Sequence, residues 1–168
     1  MVYKRVILKR GKEESLKRFH PWVFSGAIAR MDNIEEGDLV TVYDHEGNLI
    51  GNGHYQIGSI AVRILTFDDT EIDSAFFVKR LTEAYKMRQA LGLSRPDNNA
   101  FRLVHGEGDF LPGLVVDIYG STAVMQAHSP GMHFARNLIA DALTQLPNGV
   151  VKNVYYKSET TLPYKAQL

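Results

Sequence analysis

The sequence predicts an α+β protein in which a small, partly closed β-barrel is followed by a small α/β domain. Five or six short apolar runs fall within about the first 67 residues, which is typical of a small barrel. After a polar loop at residues 94–99, a second set of strands surrounds one amphipathic helix. The chain has 168 residues, of which 45% are hydrophobic, so it can form two cores. We expect a barrel at 1–70, a linker with a helix at 71–99 and an α/β domain at 100–168.

Alternation and turn residues predict the barrel strands at residues 2–9, from Trp22 onward, at 39–43, at 48–55 and at 59–65. A short helix over residues 13–19 precedes Trp22, and Asp44-His45-Glu46-Gly47 reads as a hairpin loop. Gly51 and Gly53 lie inside a strand, where glycine indicates a bulge or a backbone that passes very close. No helix follows them, so we do not interpret Gly51-Asn52-Gly53 as a cofactor-binding turn.

The second part of the chain alternates helices and strands. Asp73 or Ser74 caps a helix that Gly92 ends, and its outer side carries Lys79, Arg80, Lys86 and Arg88. We predict a solvated outer side, and the alternative is that these basic residues contact a polyanion such as RNA. Strands follow at 101–105, 114–119 and 122–127, then a helix from Ser129-Pro130 to residue 146 and a last strand at 150–157. These elements predict an antiparallel or mixed sheet with one packed helix.

Charge is unevenly distributed although the chain has 19 basic and 19 acidic residues. Residues 1–30 hold eight basic residues and two acidic ones, while residues 31–75 hold ten acidic residues and Arg63 alone. A positive segment of this kind is typical of a surface that binds a polyanion. An ordinary solvated face is the alternative interpretation.

Two absences narrow the class of protein. The chain contains no cysteine, which excludes disulfides, thiolate catalysis and cysteine metal ligands within it. No apolar window approaches the roughly 18 residues that a membrane span requires, and the first ten residues do not resemble a signal peptide. We therefore expect a cytoplasmic protein that does not contact membranes.

The stretch from His20 to Ile28 combines a turn, an aromatic strand and a glycine within the positive segment. Pro21 disfavours helix at His20, so the preceding helix ends there. Lysine and arginine side chains would bind phosphates, an aromatic ring could stack on a base, and Gly26 would permit close approach. The alternative for Trp22 is a place in the hydrophobic core.

Residues His105, Glu107 and Asp109 alternate beside two glycines, and such a set could bind a metal or act as acid and base. The structural alternative is a tight loop whose acids cap free amides. Ser129 follows His128, but neighbours in sequence are rarely a catalytic pair. We predict no catalytic residue, no metal site and no cofactor site within this chain.

Several motifs together resemble one family of enzymes. They are His20-Pro21-Trp22-Val23-Phe24-Ser25-Gly26, Gly37-Asp38, Asp44-His45-Glu46-Gly47, Gly51-Asn52-Gly53, Arg63, Phe76-Phe77, the run from Arg102 to Gly113, and Val116-Asp117. This set is similar to the front portion of the PUA-containing, S-adenosylmethionine-dependent methyltransferases that make 5-methylcytosine in large-subunit ribosomal RNA.

The resemblance implies a PUA barrel, a central α/β domain and, in the full-length protein, a Rossmann-like methyltransferase domain. The sequence stops where that catalytic domain would begin, so we expect a fragment that is not itself catalytic and whose central domain is incomplete. S-adenosylmethionine would bind the full-length protein and ribosomal RNA would be the partner, while a homodimer is compatible with the sequence. A stand-alone RNA-binding or ribosome-assembly module is the alternative, and a small hydrolase built on His105, Glu107 and Asp109 ranks last.

The resemblance also implies an RNA-binding surface. Six residues match the segment expected to meet RNA, namely Lys17, Arg18, His20, Trp22, Ser25 and Gly26. We expect Arg5 and Arg10 to be outlying phosphate contacts.

Overall fold

A computed structural model describes residues 3–162 of the chain, which divides after Ile72 into two units. The first unit contains one six-stranded mixed sheet and one short helix. Its elements are β1 (Lys4–Leu8), α1 (Glu14–Lys17), β2 (Trp22–Phe24), β3 (Ile28–Met31), β4 (Leu39–Tyr43), β5 (Leu49–Tyr55) and β6 (Ile60–Thr66).

The connection between β2 and β3 requires this sheet to curl. The strand order is β2-β6-β5-β4-β1-β3, so the two strands lie at opposite edges, yet only the 3-10 turn Ser25–Ala27 joins them. In a flat sheet of this order the edge strands would be about 24 Å apart. The chain from residue 24 to residue 28 spans at most about 14 Å. The sheet therefore forms a half-barrel, which confirms the predicted α+β class and the curled sheet of the first unit.

The half-barrel encloses an apolar core and leaves no room between β5 and β6. Val6 and Leu8 of β1, with Val40 and Val42 of β4, are among its fully buried residues. A Cβ atom added at Gly51 or Gly53 would lie 2.1 Å from a carbonyl oxygen of β6. The close backbone approach predicted for these glycines is confirmed, and each must remain glycine because a methyl group would overlap the neighbouring strand.

Local elements of the first unit are shorter than the sequence predicts. Helix α1 has four residues, because Phe19 adopts a left-handed conformation (φ 63°) that ends it. The strand that begins at Trp22 stops after Phe24. At that point the chain leaves β6, the partner of β2, and crosses to β1, the partner of β3.

The second unit is a four-stranded sheet with the order β10-β9-β8-β7 and three helices. Strands β7, β8 and β9 are antiparallel, whereas β10 runs parallel to β9 and is reached through α3 and α4. The elements are α2 (Ser74–Ala90), β7 (Ala100–His105), β8 (Leu114–Tyr119), β9 (Thr122–Ala127), α3 (Pro130–Phe134), α4 (Arg136–Thr144) and β10 (Asn153–Tyr156). Within residues 3–162, no helix is long and apolar enough to cross a membrane.

The helices of this unit differ from the prediction of one packed helix. Helix α2 falls in the segment predicted to be a linker, but it packs against α4 and β7 and so belongs to the second unit. Phe77 and Leu81 on its apolar side are fully buried there. The helix predicted to run from Pro130 breaks at Ala135, where the Arg136 guanidinium donates to the carbonyl oxygen of His133 at 2.9 Å.

Candidate nucleic-acid interface

An aromatic row follows the edge strand β2 on the outside of the half-barrel; it consists of His20, Trp22 and Phe24. Trp22 and Phe24 project to one side of the strand, while Val23 between them faces the core. The Trp22 ring meets the His20 ring edge-on at 5.4 Å between centroids and the Phe24 ring at 6.3 Å. Phe24 is 49% exposed and Trp22 is half-buried. Trp22 is thus part of a surface rather than of the enclosed core.

Beside this row lies a cavity of about 330 Å³ between the α1 segment and β2, which we call the Trp22 pocket. Lys12 and Ser15 line one wall, and Trp22 and Phe24 line the other. At Gly26 no atom beyond its two chain neighbours lies within 4 Å of the place a Cβ would occupy, so the space beside this lining residue is open. Its lining residues are Lys12, Ser15, Leu16, Trp22, Val23, Phe24, Gly26 and Ala27. An aromatic wall beside a lysine can hold a base and an adjacent phosphate.

Three of the predicted cationic residues lie on the α1 segment or in the turn before it. Lys17 and Arg18 are exposed at the end of α1, where Arg18 Nε donates to the Glu14 carbonyl oxygen at 3.3 Å. Arg10 is exposed in the turn that the Lys12 N–H closes on the Lys9 carbonyl oxygen at 3.1 Å. These charges therefore flank the segment that supplies one wall of the Trp22 pocket.

Arg5 pairs with a carboxylate of the barrel, as Lys17 pairs with Glu13 at 3.8 Å. Its backbone N–H donates to Asp32 Oδ2 at 2.7 Å, and its Nε lies 3.5 Å from the same oxygen. The backbone hydrogen bond is the main reason that the pKa of Asp32 lies below its usual range. The neighbouring Lys4 pairs with Asp38 at 2.7 Å. Part of the basic excess at the amino terminus is thus balanced by carboxylates on the barrel.

Ser25 and Gly26 occupy the 3-10 turn between β2 and β3. The Ser25 N–H donates to the Ser59 carbonyl oxygen at 2.9 Å, which fixes the turn against the loop before β6. The Gly26 carbonyl oxygen accepts a hydrogen bond from Lys9 Nζ at 2.9 Å. The structure therefore brings Trp22 and Gly26 into one pocket and places Ser25 beside it.

Sequence reasoning missed four residues of this region, namely Lys9, Lys12, Ser15 and Phe24. The two lysines entered only through the count of basic residues, because nothing in the sequence shows which lysines lie next to Trp22. Phe24 could have been found from the two-residue period of His20, Trp22 and Phe24, which places them along one side of a strand.

Comparison with known proteins shows which domain family the first unit resembles. Residues 6–67, which include all but the first two residues of the curled sheet and the whole aromatic row, match the family of PUA-like domains. Residues 6–67 form a PUA-like domain.

Relatives that extend beyond this domain are methyltransferases. The chain is 41% identical over 145 residues to ribosomal RNA large subunit methyltransferase I of Escherichia coli (strain SMS-3-5 / SECEC), a match that covers 84% of the chain and 36% of that protein. The protein of the same name from Klebsiella pneumoniae (strain 342) is 40% identical over 148 residues, covering 86% of the chain and 37% of its own length. The chain is homologous to these proteins and spans about a third of their length.

Solved structures share the fold of the PUA-like domain and the unit that follows it. A putative SAM-dependent methyltransferase from Streptococcus mutans superposes with a TM-score of 0.78 at 18% identity, covering 94% of this chain and 41% of that one. A putative methyltransferase complexed with SAH gives the same TM-score and identity, covering 94% and 40%. At this identity the likeness establishes the fold.

The loop after β7 in the second unit is organised by an ion pair. Arg88 of α2 binds both carboxylate oxygens of Asp109, with Nη2 2.7 Å from Oδ2, and the two side chains are only 11% and 3% exposed. The His105 N–H donates to the same Oδ2 at 2.6 Å. Asp109 therefore ties the loop to α2. These contacts support the interpretation of a tight loop whose acids cap free amides, rather than a metal or acid–base site. Arg88 is buried rather than part of a solvated helix face.

The remaining polar residues near this loop are also engaged. Arg102 binds Asp117 through two hydrogen bonds of 2.9 and 3.1 Å, and Arg102 Nη1 lies 3.2 Å from His105 Nδ1. In the described part of the chain, no group of three histidine or acidic residues is arranged to hold a metal ion. Burial and the charge of Arg102 lower the pKa of His128, which favours its neutral form.

Ser129 has a structural role at the start of α3. Its hydroxyl accepts a hydrogen bond from the Met132 N–H at 3.4 Å and so caps the helix. A Cβ at Gly113 would lie 2.5 Å from this hydroxyl, so the group is packed against the backbone. A hydroxyl enclosed in this way is not placed to attack a substrate.

Two glycine-containing segments of the sequence do not form the turn between a strand and a helix that commonly binds a nucleotide cofactor. Gly51-Asn52-Gly53 lies within β5, and the backbone of β6 fills the space beside both glycines. Gly106 and Gly108 lie in a four-residue 3-10 turn that ends at Asp109 and precedes no α-helix. Residues 3–162 therefore supply no glycine-rich turn that opens an α-helix next to a strand.

Proposed function

We propose that this chain is the RNA-recognition region of a ribosomal RNA methyltransferase and that the outer side of α1 and β2 is its RNA-binding face. The observation that carries the proposal is the Trp22 pocket, where an exposed aromatic row meets Lys12 and an open glycine. Of the predicted residues, Arg10, Lys17, Arg18, His20, Trp22, Ser25 and Gly26 lie on or beside this face. Arg5, paired with Asp32, contributes charge from β1.

The face would bind single-stranded RNA through two kinds of contact. A base would stack on Trp22 or Phe24, which is tolerant of sequence because each base has a flat aromatic face. Phosphates would lie against Lys12, Lys17 and Arg18, which gives affinity that falls with salt. The PUA-like domain would thereby orient the RNA and would not itself make or break bonds.

The identity of the RNA is supported by the relatives, which are named as ribosomal RNA methyltransferases. The chain spans about a third of their length, so we place methyl transfer in other parts of a longer protein. There the methyl group would come from S-adenosylmethionine. The motif resemblance implies carbon 5 of a cytosine as the acceptor.

Removing two charges from each unit in turn tests the proposal. The variant Lys17→Ala with Arg18→Ala should weaken binding of a ribosomal RNA fragment and reduce the slope of log affinity against log salt by about 1.4, since each phosphate contact on a single strand contributes about 0.7. Lys79→Ala with Lys86→Ala is the matched control, because it removes two exposed lysines from α2. Filter binding at several salt concentrations gives both slopes.

An equal reduction of the slope in both variants would mean that binding is distributed over the chain and would reject the α1 and β2 face. If the salt slope fell only in the variant Lys79→Ala with Lys86→Ala, the RNA-binding face would lie on the second unit. This is the alternative that the sequence left open for the basic side of α2.

A further inference from the structure

A second cavity lies on the other side of α1, and Lys17 is the lining residue that it shares with the function proposed above. It measures about 440 Å³, within the range of small-ligand sites, and lies between the α1 segment and the β4–β5 loop. Leu16 lines both this cavity and the Trp22 pocket, so the two flank one short helix. We call it the Glu13 pocket, after the residue whose carboxylate has the most unusual environment.

Glu13 is a buried acid with an unsatisfied oxygen. The residue is 6% exposed, and its Oε2 has no hydrogen-bond partner among the described residues. Its Oε1 lies 3.8 Å from Lys17 Nζ, which is an ion pair without a short hydrogen bond. Buried acceptors of this kind are rare in folded proteins because the lost hydration is costly. A ligand with N–H donors in the cavity would satisfy this oxygen once a rotation of the Glu13 side chain turns it toward the ligand.

Asp44, the other acid deep in this cavity, provides a contrast. Its carboxylate accepts hydrogen bonds from the Glu46 N–H at 2.9 Å, the Asn48 N–H at 2.8 Å and Asn48 Nδ2 at 2.9 Å. The Asn48 side chain is the main reason that the pKa of Asp44 is lowered. Asp44 is therefore used to build the loop, and Glu13 remains as the acid with capacity for a ligand.

An aromatic ring lies at the same cavity. Phe19 is 69% exposed and has a left-handed backbone, which is unfavourable for a bulky residue and persists only where the surroundings hold it. Its ring meets Phe67 edge-on at 5.2 Å, so one aromatic face remains available at the mouth of the cavity. A flat ring and a carboxylate acceptor together select a flat ligand with donors on its edge.

We infer that the Glu13 pocket binds a guanine base of single-stranded RNA, stacked on Phe19 with its edge toward Glu13. Guanine presents adjacent N1–H and N2–H donors that a carboxylate can accept together. Adenine, cytosine and uracil each place an acceptor beside their donor, which a carboxylate repels. Lys17 and Arg18 would then lie beside the attached phosphates. This inference rests on the proposed RNA-binding function.

An arginine side chain of a protein partner also carries paired donors. Asp44 and Glu46 line the cavity together with Glu13. Five basic residues lie within α1 or next to it in sequence and would repel a basic segment on its approach: Lys9, Arg10, Lys12, Lys17 and Arg18. The same charges attract RNA.

The test compares short uridine oligomers, about eight nucleotides long, with a central uridine, guanosine or inosine. The full chain should bind the guanosine oligomer about tenfold more tightly than the uridine oligomer, with inosine between them because it lacks the N2 amino group. Glu13→Gln should bring the ratio close to one while affinity for the uridine oligomer is kept. Glu14→Gln is the matched control, since Glu14 is exposed in the next position and should keep the ratio.

Fluorescence anisotropy at one salt concentration measures all three affinities. An unchanged ratio in Glu13→Gln, or an equal loss in Glu14→Gln, overturns the inference. Phe19→Ala provides a second measurement that does not depend on a buried residue, and it should also weaken guanosine binding selectively; equal weakening for all three oligomers overturns the inference. An arginine-rich peptide that binds the natural chain but not Glu13→Gln, without a guanosine preference, would assign the pocket to a protein segment instead.

Failure of the guanine site and failure of the proposed function give different results. If the uridine oligomer binds with a normal salt dependence and no guanosine preference exists, only the guanine site is rejected. If no oligomer binds, the RNA-binding face is rejected as well.

Discussion

The two units place their conspicuous charged and aromatic residues in opposite environments. In the PUA-like domain, Trp22 and Phe24 are arranged along an edge strand, with Lys12 beside them. In the second unit, Arg88 and Asp109 form a buried pair that holds a loop to a helix. In the sequence, both the residues of the Trp22 pocket and the Arg88–Asp109 pair are candidate site residues, because they are charged or aromatic. The difference is exposure, which decides whether a charged group can meet a ligand or is already satisfied within the fold.

The same contrast holds for carboxylates within the PUA-like domain. Asp32, Asp38 and Asp44 each accept a short hydrogen bond from this chain, and the pKa of each is lowered by that bond. Glu13 Oε2 accepts none among the described residues. An acid that is buried and unsatisfied is a stronger pointer to a ligand than an acid that is merely near a glycine.

The largest expected effect tests the structural role of the second unit. Asp109→Ala should lower the free energy of unfolding by about 3–5 kcal/mol, because it leaves the Arg88 guanidinium buried without its partner. Asp97→Ala, which removes the exposed partner of Arg95, is the control and should change the free energy of unfolding little. Urea denaturation followed by circular dichroism measures both. A small loss for Asp109→Ala would contradict a structural role for this loop.

A smaller effect tests the core of the PUA-like domain through pH. Burial of His54 lowers its pKa to about 4 from an ordinary value of 6.5. The unfolded chain therefore binds a proton that the folded chain resists, so stability is complete above pH 6.5 and falls by about 3 kcal/mol as the pH drops toward 4. The pKa values of His128 and His133 are lowered too, but both lie in the second unit.

Trp22 is the only tryptophan, so its emission reports unfolding of the PUA-like domain alone. Urea titrations should give a lower free energy of unfolding at pH 4.5 than at pH 7. The difference between the two pH values should be smaller in His54→Gln than in the natural chain. An equal loss in the natural chain and the variant would assign the acid sensitivity to other groups.

Patterns of local sequence predicted much of the fold. Alternation located most strands, and glycine within β5 predicted the close approach of β6 because only a missing side chain permits it. The break after Phe24 was not predictable, since it depends on which strands pair across the half-barrel. The packing of α2 with the second sheet was missed because a helix between two sets of strands can belong to either.

The candidate site was predicted only in part. The stretch from His20 to Gly26 was recognised, and the structure places Trp22 and Gly26 in one pocket. Lys12 and Phe24 were missed, because the lysines of residues 1–30 are indistinguishable until the curl of the sheet brings some of them near Trp22. Glu13 gave no signal, since its burial and its unsatisfied oxygen are properties of the folded chain.

The most direct test of the RNA-binding face uses the same tryptophan. Single-stranded RNA is titrated into the chain while Trp22 emission and the anisotropy of labelled RNA are followed together. If bases stack on the aromatic row, emission is quenched and its midpoint coincides with that of the anisotropy curve. Saturation of the anisotropy with no change in Trp22 emission would contradict the account, because RNA would then bind away from the Trp22 pocket.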